Sequence, residues 1–217
     1  MSKKPPRRRT GRRPRRVWIL AAVIAAAAAA VSSVVAVRQT ADTQTVFTQE
    51  VPDYIDVQLL SVNAYSRPGI ALDEVSGIVI HYTANPGTSA QENRDYFESL
   101  AVSQETKVSA HFVIGIDGEV IQCIPTTEMA YASNDRNTDT LSIECCHESA
   151  DGSFTNATYD SLVELTAWLC WRFGLSAEDV IRHYDVTGKD CPKYFVEHED
   201  AWNTFKKDVQ AMIDENS

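Results

Sequence analysis

The sequence predicts an α/β fold, a single domain with a central mixed β-sheet flanked by helices, preceded by one N-terminal transmembrane helix. Three observations carry that expectation. Short β-branched runs alternate along the chain with longer stretches of helical periodicity. An Asp-Gly pair, Asp117-Gly118, lies between two apolar runs in the pattern of a hairpin. Near the amino terminus, residues 17–37 are uncharged and long enough to cross a bilayer.

Taken in order, residues 1–16 read as a basic cytoplasmic segment and residues 17–37 as the transmembrane helix. At 1.5 Å per residue that stretch spans about 30 Å, the thickness of the hydrocarbon layer. Nine Lys/Arg precede it and Arg38 follows, which places the amino terminus inside and the rest of the chain outside the cell membrane. A cleaved signal segment, releasing a secreted domain, is the competing reading. Residues 38–52 are polar and without apolar periodicity, a linker, and the folded domain is expected over 53–217.

Within the domain, Gly77–Tyr82 reads as a buried strand. Ser89 and Glu92 form a capping box that opens a helix running to about Leu100. Ala110–Ile114 and Val120–Ile124 make the two arms of the hairpin, and Thr140–Cys145 is a further strand. Tyr159–Phe173 places Leu162, Thr166, Leu169 and Phe173 on one helical face and stops at Gly174. Val180–Arg182 is a short strand. A last helix, Glu199–Ile213, repeats the apolar stripe through Trp202, Phe205, Val209 and Met212.

With 44% hydrophobic and 23% charged residues, the 217-residue chain is neither collagen-like, wholly disordered nor a small disulfide scaffold. Charge is divided unevenly. Residues 1–38 hold ten of the 20 Lys/Arg and none of the 30 Asp/Glu, so the domain is strongly acidic and no nucleic-acid partner is expected. His81 and His183 each close an apparent strand, and Cys191 lies eight residues beyond His183 in a loop bounded by Gly188 and Pro192. Two imidazoles and a thiolate would leave one position of a tetrahedral zinc open, the pattern of a catalytic site. A core histidine and a buried free cysteine would fit the same spacing.

Four blocks in this order, GIVIHYTANPGTSAQENRDYF, SAHFVIGIDGEVIQCIP, LSIECCHES and RHYDVTGKDCP, resemble the type 2 N-acetylmuramoyl-L-alanine amidases, zinc hydrolases of the bacterial cell wall. The likeness covers roughly residues 55–210. It implies one Zn2+ held by His81, His183 and Cys191, with peptidoglycan as substrate. The bond is the amide between the lactyl group of N-acetylmuramic acid and L-alanine of the peptide stem. The resemblance puts the catalytic acid on Glu144, which would take a proton from water and pass it to the departing nitrogen, and a positive charge on Lys189 to stabilise the oxyanion. Met129–Arg136 departs from the Trp-His pair that relatives often carry there, which leaves the ligand-binding rim open.

Asn85, Asn134 and Arg136, polar groups in loops near the site, are candidates for binding the stem, and Arg136 suits a carboxylate. Asp185 is a candidate acceptor for a ligand imidazole, with a loop-capping role as the alternative. His111 lies mid-strand as a substitute ligand of low rank, His147 and His198 read as surface groups, and Tyr131 as packing or a sugar platform. No disulfide is assigned to Cys123, Cys145, Cys146 or Cys170. A non-catalytic recognition module of the same fold is the alternative function; relatives of that kind usually lack the cysteine ligand.

Overall fold

The computed structural model describes residues 47–217. The basic segment, the predicted transmembrane helix and the start of the linker lie outside the described residues, and among the described residues no helix is long and apolar enough to cross a membrane.

The sheet has six strands: β1 (Ile55–Val57), β2 (Gly77–Tyr82), β3 (Phe112–Ile114), β4 (Val120–Gln122), β5 (Thr140–Cys145) and β6 (Val180–Arg182). Their spatial order is β1-β4-β3-β5-β2-β6, with only the β3–β4 hairpin antiparallel. It is the mixed α/β domain the sequence predicts. The helices are α1 (Ala90–Ser103), α2 (Asn156–Phe173), α3 (His183–Thr187), α4 (Lys193–Glu197) and α5 (Glu199–Glu215).

Local chemistry sets these elements. Ser89 Oγ accepts from the Glu92 amide at 3.2 Å while the Glu92 carboxylate accepts from the Ser89 amide at 2.9 Å, the reciprocal cap read from the sequence. In the hairpin, Gly118 has φ +85°, and a Cβ there would come 2.8 Å from the Ala157 carbonyl oxygen, so the turn needs glycine on two grounds. Helix α2 ends at Gly174 in the left-handed conformation.

Strand alternation divides the interior into two layers. Ile78, Ile80, Leu141 and Ile143 face one side and pack with Leu162, Leu165, Trp168 and Leu169 of α2 and Trp202, Phe205 and Val209 of α5. Val113 and Ile121 face the other side with Ala90 and Phe97 of α1. His81 alternates with Ile80, so its imidazole falls on the face away from α2 and α5. The six-residue pairing of β2 with β5 sets His81 directly beside Glu144.

Two expectations need correction. The predicted linker over 38–52 does not run to Pro52: Phe47 is 6% exposed and packs against Trp171, while the Trp168 indole N–H donates to the Thr48 carbonyl at 2.9 Å. Strand β1, absent from the sequence reading, closes one edge of the sheet against β4.

Candidate active site

The site forms where β2 and β6 end. β6 runs directly into α3, so His183 begins that helix, and Gly188, at φ +75°, turns the chain back. The Tyr184 amide then donates to the Cys191 carbonyl at 2.9 Å, which closes the loop and returns Cys191 to the strand ends. One potential ligand atom from each of His81, His183 and Cys191 lies within 4.8 Å of the other two. All three residues are buried.

Each ring is held at Nε2 by a neighbour. His183 Nε2 donates to Asn134 Oδ1 at 2.8 Å, and His81 Nε2 contacts Ser133 Oγ at 3.2 Å. These contacts occupy the Nε2 side of both rings, and Nδ1 is the nitrogen on the side of the centre. His81 Nδ1 lies 3.8 Å from Cys191 Sγ, close to the roughly 3.5 Å edge of a tetrahedral zinc–nitrogen–sulfur site. His183 Nδ1 is buried without a hydrogen-bond partner. A buried, orphaned imidazole nitrogen facing a second imidazole and a thiol fits a metal ion in chemistry and in spacing.

The electrostatics agree. Burial, with the neighbouring His183 and Lys189, holds His81 well below the ordinary imidazole range, and burial with Lys189 lowers His183. Both rings are therefore neutral, as ligands must be. Burial pushes the Cys191 thiol up to about 12, opposed by the Tyr82 amide and Lys189. The Glu144 carboxyl is pushed up to about 8 by burial, with Lys189 pulling it back, and its Oε2 has no hydrogen-bond partner. Lys189 itself is exposed and acts on all four groups through its charge.

The structure thus brings together His81, His183, Cys191, Glu144 and Lys189. It does not bring in Arg136, whose guanidinium is held by Asp139 at 2.9 Å and faces Ser76, beside Gly77 at the opposite end of β2 from His81. Asp185 bonds Arg182 at 2.9 Å and caps α3 instead of orienting an imidazole. Asn134 is turned onto His183, a metal-ligand candidate. Asn85 is exposed in the turn after β2, its carbonyl accepting from Thr88. His111 is a fixed core group: it is 1% exposed, with Nδ1 at Ser142 Oγ and Nε2 at the Glu128 carbonyl. His147 is buried against Tyr82, not on the surface. None of the five cysteines is in a disulfide.

Ser133 was not singled out by the sequence reading. The available signal was a run of turn-forming residues, Ser133-Asn134-Asp135, in which Asn134 takes a left-handed φ of +54° that asparagine tolerates. Asn134→Gly keeps that backbone and removes the amide. It is expected to weaken zinc binding about 10–100-fold in a competition titration with a chromogenic chelator; an affinity within twofold of the parent would show that the 2.8 Å contact does not orient His183.

Fold and site together place two imidazoles and a thiol around one point with a carboxylate beside it, the set of groups a hydrolytic metal centre uses. Residues 71–194 match the family described as N-acetylmuramoyl-L-alanine amidase, Amidase_2. The chain is 40% identical over 167 residues to N-acetylmuramoyl-L-alanine amidase CwlL of Bacillus licheniformis, covering 71% of this chain and 46% of that protein. It is 35% identical over 175 residues to the amidase BlyA of Bacillus subtilis, with the same shares covered. Among solved structures, the catalytic domain of XlyA superposes with a TM-score of 0.62 at 28% identity, covering 71% of this chain and 98% of that one. This chain belongs to the Amidase_2 family of N-acetylmuramoyl-L-alanine amidases. It spans just under half the length of the curated relatives it matches.

Proposed function

We propose that the domain is a zinc-dependent N-acetylmuramoyl-L-alanine amidase that cuts the lactyl–L-alanine amide of peptidoglycan during remodelling or lysis of the cell wall. The observation that carries this reading is the convergence of His81, His183 and Cys191 beside the buried, unpartnered Glu144 carboxylate oxygen. His81, His183 and Cys191 would hold the zinc ion, which when bound would supply Lewis-acid activation of a water and of the substrate carbonyl. Glu144 takes the proton from the attacking water and returns it to the departing amine, a task suited to a carboxyl near the working pH. Lys189 places a positive charge where the tetrahedral oxyanion develops. Ser133 and Asn134 hold the two imidazoles in register.

Digestion of purified peptidoglycan, followed by mass spectrometry, tests the reaction. The expected products are free stem peptides with an L-alanine amino terminus and intact glycan strands. New reducing sugar ends without free L-alanine would make the protein a glycosidase, and retained but uncut fragments would make it a recognition protein. The length of the uncharged stretch 17–37 and the charge bias around it further support tethering to the outer face of the cell membrane; recovery of the full chain in a soluble secreted fraction would overturn that.

A further inference from the structure

Two adjacent residues touch both imidazoles of the metal-ligand set. Ser133 Oγ meets His81 Nε2 at 3.2 Å and Asn134 Oδ1 meets His183 Nε2 at 2.8 Å, although they lie 52 and 49 residues from those histidines in sequence. The two rings belong to different elements, one near the end of β2 and one at the start of α3, and their centres stand 4.6 Å apart. The spacing of the rings therefore depends on the shape of one short turn.

Regular structure does little to hold that turn. Only the three residues Asn134–Arg136 are helical, in a single 3-10 turn, and Asn134 has a left-handed φ of +54°. Ser133, in the cap position, makes no side-chain cap, because its hydroxyl is turned to His81. Asn137 takes over that task from the other end. Its Oδ1 accepts from the Ser133 amide at 2.6 Å and from the Ala132 amide at 3.0 Å, while its own amide donates to the Asn134 carbonyl at 3.1 Å. One oxygen shared by two successive amides fixes the direction of the peptide between them, and with it where the Ser133 side chain points. The far side of the turn is tied to the start of β5, where Thr140 Oγ1 donates to the Arg136 carbonyl at 2.6 Å.

We propose that Asn137 is a positioning residue for the metal centre: it sets the Ser133–Asn134 turn, and through that turn the separation and tilt of the His81 and His183 rings. The inference rests on the zinc reading of the three converging residues. Asn137 acts through the turn, so its loss leaves the ligand set complete. What changes is how well the two imidazoles are held before a metal arrives. Ligands already fixed in bonding geometry lose less freedom on binding, and a turn free to swing gives up that advantage.

The test is a competition titration of zinc against a chromogenic chelator, using the full chain, with the visible spectrum of the Co2+-loaded chain and thermal melting recorded alongside. Asn137→Ala is expected to weaken zinc binding about 5–20-fold, near the lower end of what groups in direct contact with metal ligands contribute, and to change the Co2+ bands. Asn137→Asp keeps an accepting oxygen in the same place and should stay within about threefold of the parent. Asn137→Gln keeps the amide but moves the oxygen by one methylene; it should weaken binding as alanine does, and it keeps the test readable if the alanine variant does not fold. Trp168→Phe removes the indole bond to the Thr48 carbonyl on the other face of the sheet. It should melt lower yet bind zinc as the parent does, which separates positioning from a general loss of stability. Parent affinity with an unchanged Co2+ spectrum in folded Asn137→Ala or Asn137→Gln would overturn the assignment, as would an Asn137→Asp variant as weak as the alanine one. A parent chain that binds no zinc would instead refute the zinc reading itself.

Discussion

Glu144→Gln is expected to lower kcat for amide hydrolysis by about 10²–10⁴-fold while leaving zinc content at the wild-type level. The substitution keeps the size of the side chain and removes its ability to accept and return a proton. Glu144 is not among the three groups that converge on the centre; its place comes from pairing beside His81 on the neighbouring strand. Its Oε2 is buried and unpartnered, so exchange to an amide breaks no existing hydrogen bond of that atom. Turnover on a defined muramoyl peptide, with metal analysis of the same sample, separates the outcomes. A variant that keeps activity within about threefold, or one that loses its zinc, would contradict the proton-transfer role.

Cys191→Ala should act earlier, at the metal. Removing the thiolate leaves two imidazoles, and a two-ligand site holds zinc far more weakly than a three-ligand one. Changes around zinc ligands already cost about 10–100-fold in affinity, so losing a ligand itself is expected to exceed about 100-fold and to bring hydrolysis to background. The fold should survive, because the loop is closed by the backbone bond from Tyr184 to the Cys191 carbonyl, which alanine retains. Circular dichroism matched to wild type, together with lost zinc and lost activity, is the expected pattern. Wild-type zinc affinity in this variant would remove Cys191 from the centre.

Much of this was legible because the signals are local. Gly77–Tyr82, Thr140–Cys145 and Val180–Arg182 are β-branched or apolar runs with clear ends, and Ser89, Glu92, Gly118 and Gly174 announce caps and turns by their chemistry. The loop from His183 to Cys191 was readable from its glycine and its spacing. Strand β1 was not, since Ile55-Asp56-Val57 is too short to show alternation and gains its place by pairing with β4, some 65 residues away. The five-residue helices α3 and α4 are likewise shorter than any periodicity can reveal.

The site residues divide in a similar way. The ligands and Glu144 followed from strand ends and family likeness, but the register that sets Glu144 beside His81 joins strands more than 60 residues apart. Arg136 and Asp185 each have an opposite charge three residues away, Asp139 and Arg182, and those local pairs hold them; for Asp185 this is the capping role the sequence also offered. Asn134 lies in a left-handed turn whose direction no sequence pattern encodes, and that direction sends its amide onto His183.

The most direct test of the account is a zinc titration of the chelated full chain in which bound metal and hydrolysis of a muramoyl peptide are followed together. Activity and bound zinc should rise in parallel and level off at one ion per chain, with no such rise in Cys191→Ala. Full hydrolysis by the metal-free chain, or an unchanged titration in Cys191→Ala, would contradict the claim that His81, His183 and Cys191 form the catalytic metal centre.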